Sequence, residues 1–289
     1  MTPPVVLTIA GSDSGGGAGI QADLATFHAH SVHGCTAISA LTAQNTYEVR
    51  GVLATPPEFL LEQIETVLDD LGVVAVKTGM LATIANVHVV VDLARAGRLP
   101  NLVVDPVMVS SSGSRLLEPD AETAYRKLLL PLATVFTPNC REAAVLLGWD
   151  EPITTVARQR DAALILQQEA TSAGVVIVKG GDLDHDPHLV VDVHAGPGWL
   201  TEAPHPRIAT ANNHGTGCSF ASAITANLAL GHDVSDAVDL ATEFVQRGLA
   251  AGASWHLGAG HGPIHHRGAQ VGTPHPLAHP APSSTGDVP

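Results

Sequence analysis

Basic residues are scarce in this chain of 289 residues: 14 Lys and Arg stand against 28 Asp and Glu, a formal net charge of −14. That balance argues against nucleic acid and anionic membranes as partners, since both reward a basic face. Only three lysines occur, Lys77, Lys127 and Lys179, so a bound anion must be held by local donors. Cysteine is as sparse. Cys35, Cys140 and Cys218 are odd in number, widely spaced and free of any CxxC pair, which speaks against a disulfide framework or a zinc site and fits a reducing compartment. The sixteen histidines include no HExxH spacing, so they do not suggest a metal centre. No basic region precedes the first apolar run, and no apolar stretch reaches membrane-spanning length unbroken. The expectation is a soluble, unexported, cytoplasmic protein.

The apolar fraction of 45% is ample for one large domain. β-rich apolar runs at 5–10, 36–41, 73–76, 102–104, 134–137, 175–178 and 189–193 are mostly separated by helical patterns at 57–71, 82–96, 120–130, 141–147 and 154–173. Two further helices are expected at 216–230 and 234–252. Such alternation predicts an α/β fold with a mainly parallel sheet covered by helices on both faces. Ligands of such sheets sit beyond the carboxyl ends of the strands. Gly11, Gly79, Asp105, Asn139 and Lys179 all follow or end predicted strands, so they converge on one edge. From 268 to 289 the chain is rich in Pro, Gly, Ser, Thr and His. It reads as a disordered tail behind a domain of residues 1–267.

The most informative stretch is Asn213-His214-Gly215-Thr216-Gly217-Cys218, running into Ser219-Phe220-Ala221-Ser222-Ala223-Ile224. It reads as a glycine turn opening into a helix, whose unpaired first-turn amides and positive dipole end favour a bound phosphate. Cys218 sits where that field would lower a thiol's pKa. A second glycine-rich segment, Gly11-Ser12-Asp13-Ser14-Gly15-Gly16-Gly17-Ala18-Gly19, joins the first strand to a helix beginning at Ile20 and offers its backbone to a ligand. It fits neither nucleotide fingerprint: no Gly-Lys-Ser/Thr closes it, and Ile20 stands where a dinucleotide loop starting at Gly15 needs its last glycine.

With AGSDSGGGAGIQAD at one end and NNHGTGCSFASAI at the other, the chain resembles the hydroxymethylpyrimidine and phosphomethylpyrimidine kinases of thiamin biosynthesis, which belong to the ribokinase-like group. Gln44-Asn45-Thr46, Lys77-Thr78-Gly79-Met80-Leu81, Val104-Asp105-Pro106-Val107-Met108, Thr137-Pro138-Asn139-Cys140-Arg141-Glu142-Ala143, Val178-Lys179-Gly180-Gly181 and Gly262-Pro263-Ile264-His265-His266 extend the resemblance over residues 5 to 266, in the family's order. It implies a ribokinase-like three-layer fold and an ATP- and Mg²⁺-dependent kinase. The expected reaction phosphorylates 4-amino-5-hydroxymethyl-2-methylpyrimidine and then its monophosphate, in a homodimer.

Under that resemblance the amides of Gly215, Thr216, Gly217 and Cys218 receive the γ-phosphate, with His214 beside the nucleotide and Lys179 on the polyphosphate. Asn139 and Glu142, spaced NxxE, look like the family's magnesium and phosphate motif; by themselves they are a helix cap and a first-turn acid. Asp105 has a nucleotide or metal role or is a strand-end turn residue. Cys218 stands where sugar kinases of this group carry an aspartate base, which points away from sugars, and it accepts the alcohol proton or shapes the anion site. Gln44 offers an acceptor and a donor side by side to an aminopyrimidine edge. Met80 and Val107 flank the ring or belong to the core, with the backbone of Gly11 and Ala18 close by. Asp23 belongs to the substrate set or stabilises the first helix. The alternatives are a pyridoxal or pyridoxine kinase on the same fold and a non-catalytic pyrimidine sensor.

Overall fold

The computed structural model describes residues 2–108, 119–170, 174–183 and 186–269. In chain order the strands are β1 (Val5–Asp13), β2 (His33–Gln44), β3 (Val49–Ala54), β4 (Val73–Thr78), β5 (Leu102–Val104), β6 (Val135–Phe136), β7 (Val175–Val178), β8 (Leu189–Gly196) and β9 (Trp199–Pro206). The helices are α1 (Gly19–Ala29), α2 (Pro57–Asp70), α3 (Ile84–Arg95), α4 (Pro119–Ala124), α5 (Cys140–Leu147), α6 (Val156–Glu169), α7 (Thr216–Ala229) and α8 (Val234–Gly252). All strands lie in one sheet, ordered β3-β2-β1-β4-β5-β6-β7-β8-β9. From β2 to β7 every pairing is parallel; β3, β8 and β9 are antiparallel additions at the two edges.

Alternation along the short central strands sorts the core into two layers. Val104, Phe136, Val176 and Val178 pack on one side with Leu60, Ile64, Val87, Val91, Ala143 and Ala163, from α2, α3, α5 and α6. Their neighbours Val103, Val135, Val175 and Ile177 face the other side, against Phe220, Ile224, Val238, Ala241 and Phe244 of α7 and α8. Fully buried apolar runs of this kind are what a sheet covered on both faces requires. Polar residues set the helix starts: Thr83, Thr155 and Asp233 each accept a hydrogen bond from a first-turn amide.

The seven predicted strands and the helices are present, with differences at the margins. β1 and β2 run on to Asp13 and Gln44, so Gly11 is strand and the loop proper covers only residues 14–18. The helix expected over 120–130 is α4 followed by a π-helical turn, Tyr125–Leu129. The one expected over 154–173 is helical through Glu169, and residues 171–173 lie outside the described residues. Of the anticipated tail, Gly268 and Ala269 belong to a 3-10 turn, Arg267–Ala269, where Ala269 is buried and its carbonyl accepts from Arg247 Nε at 2.8 Å. Residues 270–289 lie outside the described residues.

Candidate active site

Gly215 caps α7 with φ 78°, a left-handed conformation that suits glycine. A Cβ there would lie 1.9 Å from the Gly17 carbonyl oxygen, so the two glycine segments touch at this point. The first intrahelical bond of α7 runs from Ser219 N to the Gly215 carbonyl at 2.8 Å. Ahead of it stand the amides of Gly217 and Cys218, at the positive end of the helix. Thr216 is tied back to the Asn213 carbonyl by its hydroxyl at 2.6 Å.

Beneath this turn lie the charges expected from the strand ends. A Cβ on Gly217 would be 3.2 Å from Lys179 Nζ and 3.7 Å from Asp105 Oδ2. Lys179 donates to Asp105 Oδ1 at 2.9 Å, and Thr137 Oγ1 reaches the same oxygen at 3.3 Å. Glu142 and Asn139 form a capping box at the start of α5: Glu142 Oε2 accepts from Asn139 N at 2.8 Å and Asn139 Oδ1 from Glu142 N at 2.9 Å. Glu142 is nevertheless buried, and burial raises its carboxyl despite the opposing pull of Lys179. Burial works against the Lys179 ammonium, but Asp105 and then Glu142 hold its pKa above the ordinary lysine value. Lys179 therefore pairs with Asp105, and Glu142, its carboxyl pushed up to about 7, feels both charges beside the positive end of α7. That donor set suits Mg²⁺, which needs one or two carboxylates and completes its shell with phosphate and water. Among the described residues there is no cluster of three or more His, Cys, Asp or Glu placed to hold a metal by protein ligands alone.

The residues expected at the ring fall into two groups. Met80 packs with Ala40 and Ala82, flanked by Val107 and Ala54, in a small apolar cluster apart from the main core. Gly11 has no side chain where Met80 Cε lies: a Cβ would meet it at 2.6 Å. Ala18 and Gln44 are partly exposed. Gln44 Oε1 accepts from Thr42 Oγ1 at 3.2 Å, and its Nε2 lies 3.4 Å from His214 Nε2.

Asp13 organises this side, and sequence reasoning did not single it out. Its Oδ1 accepts from Gly15 N at 2.8 Å, while Oδ2 accepts from Gly17 N at 3.1 Å and Ala18 N at 2.9 Å. His214 Nε2 is 2.9 Å from the same Oδ2. Burial works to raise the Asp13 carboxyl, but the bonds from His214 and the loop amides outweigh it and lower its pKa. The glycine-rich loop is thus wound around an internal carboxylate, and the amides of Gly15, Gly17 and Ala18 already have an acceptor. His214, expected at the nucleotide, has its ring on Asp13 and over Gly17. An Asp before a run of glycines is the signal that could have shown this loop to be self-satisfied.

For Asp23 the geometry favours the second of its two readings, and for Cys218 an expectation needs revision. Asp23 is fully buried, accepts from Thr8 Oγ1 and Ser222 Oγ at 2.7 Å, and pairs with the equally buried Lys77, whose Nζ is 3.0 Å from both oxygens. It stitches α1 to β1, β4 and α7. The Cys218 thiol is pushed up to about 11 rather than lowered, because burial outweighs the nearby Lys77 ammonium and the Gly19 amide, with Asp23 and Asp105 adding to the rise. The field of one helix end does not compensate a thiolate for lost water here.

Comparison with known proteins agrees with this geometry. The phosphomethylpyrimidine kinase family profile matches residues 13–265. A hydroxymethylpyrimidine/phosphomethylpyrimidine kinase of Rhizobium meliloti is 43% identical over 267 residues, 91% of this chain and 96% of that protein. The chloroplastic thiamine biosynthetic bifunctional enzyme of Arabidopsis thaliana is 45% identical over 91% of this chain, which spans 50% of that longer protein. Among solved structures, an ADP complex of Bacillus subtilis pyridoxal kinase superimposes with a TM-score of 0.85 at 36% identity, over 94% of this chain and 100% of that one. On the strength of the profile and of that sequence identity, the chain belongs to the phosphomethylpyrimidine kinase family.

Proposed function

We propose that this site transfers the γ-phosphoryl group of ATP to the hydroxymethyl oxygen of 4-amino-5-hydroxymethyl-2-methylpyrimidine, and then to the monophosphate so formed, as a step of thiamin biosynthesis. The observation that carries the reading is the meeting at Gly217 of a helix N-terminus with Lys179 and Asp105, 3.2 and 3.7 Å from its Cβ position, beside the apolar cluster of Met80 and Val107. Phosphoryl transfer asks chiefly for positioning and charge cancellation. The amides of Gly217 and Cys218 take the γ-phosphate oxygens, and Lys179 spans to the polyphosphate. Glu142 and Asp105 would hold Mg²⁺, which supplies the remaining positive charge on the phosphates. In the first step the alcohol oxygen attacks Pγ, the bond to ADP breaks with its electron pair going to ADP, and the alcohol proton passes to the thiolate form of Cys218. In the second step a phosphate oxygen attacks and no alcohol proton has to be removed. The kinase unit runs from the N-terminal strand to the turn Arg267–Ala269 that docks on α8.

Phosphorus NMR of the products from ATP, Mg²⁺ and the pyrimidine alcohol tests this, with pyridoxine run in parallel. The expected spectrum shows a monophosphate ester, then a diphosphate, with pyridoxine turned over more slowly. Pyridoxine phosphorylation at equal or greater efficiency would favour the second reading, a pyridoxal or pyridoxine kinase, to which the superposition on Bacillus subtilis pyridoxal kinase lends support.

A further inference from the structure

Lys179 lies where the regular hydrogen-bond ladder of β7 ends. Its amide makes a bridge to the Pro138 carbonyl at 2.8 Å, just past the end of β7. On the other side β7 pairs with β8 only as far as Val178 with Val193. Beyond that pair the regular ladder ends while the two strands stay close: a Cβ on Gly180 would sit 2.0 Å from the Val191 carbonyl oxygen. Gln159 Nε2 takes up carbonyls at the end of the ladder, donating to those of Val178 and Val191 at 2.8 and 2.9 Å. The Gly180 amide, on the peptide that follows Lys179, donates instead to a side chain: Asp192 Oδ1 at 2.7 Å, in a buried bond.

Asp192 is itself held. Its Oδ2 faces His205 Nε2 of β9 at 3.2 Å, and His205 Nδ1 faces Gln246 Nε2 of α8 at 2.9 Å. The chain of contacts therefore runs from the peptide behind Lys179 across two strands to a helix. A carboxylate can only accept, so His205 Nε2 carries a proton. With a neutral ring, the Gln246 amide donates to Nδ1; with a charged ring, turning the amide lets Oε1, which has no hydrogen-bond partner as placed, accept from Nδ1. Either protonation state of His205 leaves a donor on Asp192.

We propose that Asp192 is a positioning residue for Lys179: by anchoring the Gly180 amide, with His205 and Gln246 bracing the carboxylate, it fixes the lysine's position under the phosphate turn. The proposal rests on the reading above that Lys179 binds the polyphosphate of ATP.

Steady-state kinetics of the full chain test it with Lys179→Ala, Asp192→Ala, Asp192→Asn and the Lys179→Ala/Asp192→Ala double variant. Misplacing a binding group by about 1 Å can cost up to about 10²-fold. Asp192→Ala should raise the KM for ATP about tenfold while the acceptor KM stays within about twofold. Asp192→Asn should restore the ATP KM: its amide oxygen still accepts from Gly180, and its NH₂ donates to His205 Nε2 once the ring proton moves to Nδ1 and the turned Gln246 Oε1 accepts it. In the double variant the penalty should be no worse than for Lys179→Ala alone, since both changes act through one lysine. A lowered Tm with unchanged ATP KM, or penalties that add in the double variant, would overturn the proposal and leave Asp192 a purely structural residue. Should Asp192→Ala fail to fold, His205→Leu replaces it, with a rise of about threefold in ATP KM expected and an unchanged value overturning the proposal. If Lys179→Ala itself leaves the ATP KM unchanged, the assignment of Lys179 to the nucleotide is what fails.

Discussion

The two halves of the site are built on different principles. On the proposed phosphate side Asp105 and Glu142 are buried and Lys179 shows only 16% of its side chain, all joined to one another or to backbone and fixed by the ends of neighbouring strands and the cap of α5. On the ring side Gln44, Ala18 and Val107 are partly exposed, and order comes from a loop coiled around Asp13. Charge needs a rigid setting, because carboxylates and an ammonium out of water are tolerable only when paired. An aromatic ring needs walls and one hydrogen-bonding edge, which a loop can provide. The phosphate half should therefore respond to substitution through catalysis, and the ring half through selectivity.

The largest effect should come where the halves touch. Gly215→Val places a side chain on a left-handed residue against the Gly17 carbonyl, 1.9 Å from its Cβ position. Both the anion turn and the Asp13 loop must move, so turnover should fall by about 10²-fold or more with KM raised for both substrates. A variant impaired for ATP alone would show that the halves are independent.

Of comparable size, but confined to one step, is Cys218→Ala, which divides the reaction within the phosphate half. Deprotonating an attacking alcohol is worth about 10²–10⁴-fold where a base does it. A phosphate monoester, with a second pKa near ~6, is already ionised at neutral pH. Single-turnover assays from the alcohol and from the monophosphate should show the first step slowed far more than the second. The thiol's position near 11 adds a pH signature. Below that value the thiolate fraction grows tenfold per pH unit, so the wild-type alcohol step should accelerate from pH 7 to 9 and Cys218→Ala should flatten the slope. Equal slowing of both steps would leave Cys218 as a residue that only shapes the anion site.

How much of this was legible in sequence follows the same divide. Parallel strands buried on both faces are continuous apolar runs, and their ends bring Asp105, Asn139 and Lys179 to one edge without tertiary knowledge. The edge strands escaped notice for a physical reason. Most residues of β3 are exposed, and β9 carries Pro204 and Pro206, which only an edge tolerates, so neither reads as a buried run. The buried Lys77–Asp23 pair and the Asp192–His205–Gln246 chain join residues 54, 13 and 41 positions apart, contacts that no local pattern encodes. The sign of the Cys218 shift was missed because the helix field is local, whereas burial is set by the whole fold.

On the ring side, Asp13→Ala removes the acceptor of three loop amides and the partner of His214. Each hydrogen bond to a charged group is worth about 1.5–3 kcal/mol, so the loop should loosen. The KM for the pyrimidine should rise about tenfold or more while that for ATP changes little. A comparable rise for ATP would mean that the loop also braces the phosphate turn through Gly17 and Gly215.

The most selective change, and the smallest in overall effect, is at Gln44. His214 Nε2 lies 2.9 Å from Asp13 Oδ2 and 3.4 Å from Gln44 Nε2. The carboxylate accepts from His214 Nε2–H, so the Gln44 amide does not donate its NH₂ to that nitrogen and is left able to donate to a ligand. Its Oε1 accepts from Thr42 and keeps a second lone pair. An aminopyrimidine can use both groups at once, through its ring nitrogen and its exocyclic amine; pyridoxine has no amine to offer. Leaving that amine unpaired costs about 1–3 kcal/mol, or about 5- to 150-fold in KM. Gln44→Leu should therefore weaken the pyrimidine more than pyridoxine and narrow the preference between them, with ATP unaffected. Measuring both acceptors at saturating ATP decides it: equal losses would remove Gln44 from recognition and leave selectivity to the Met80 and Val107 walls.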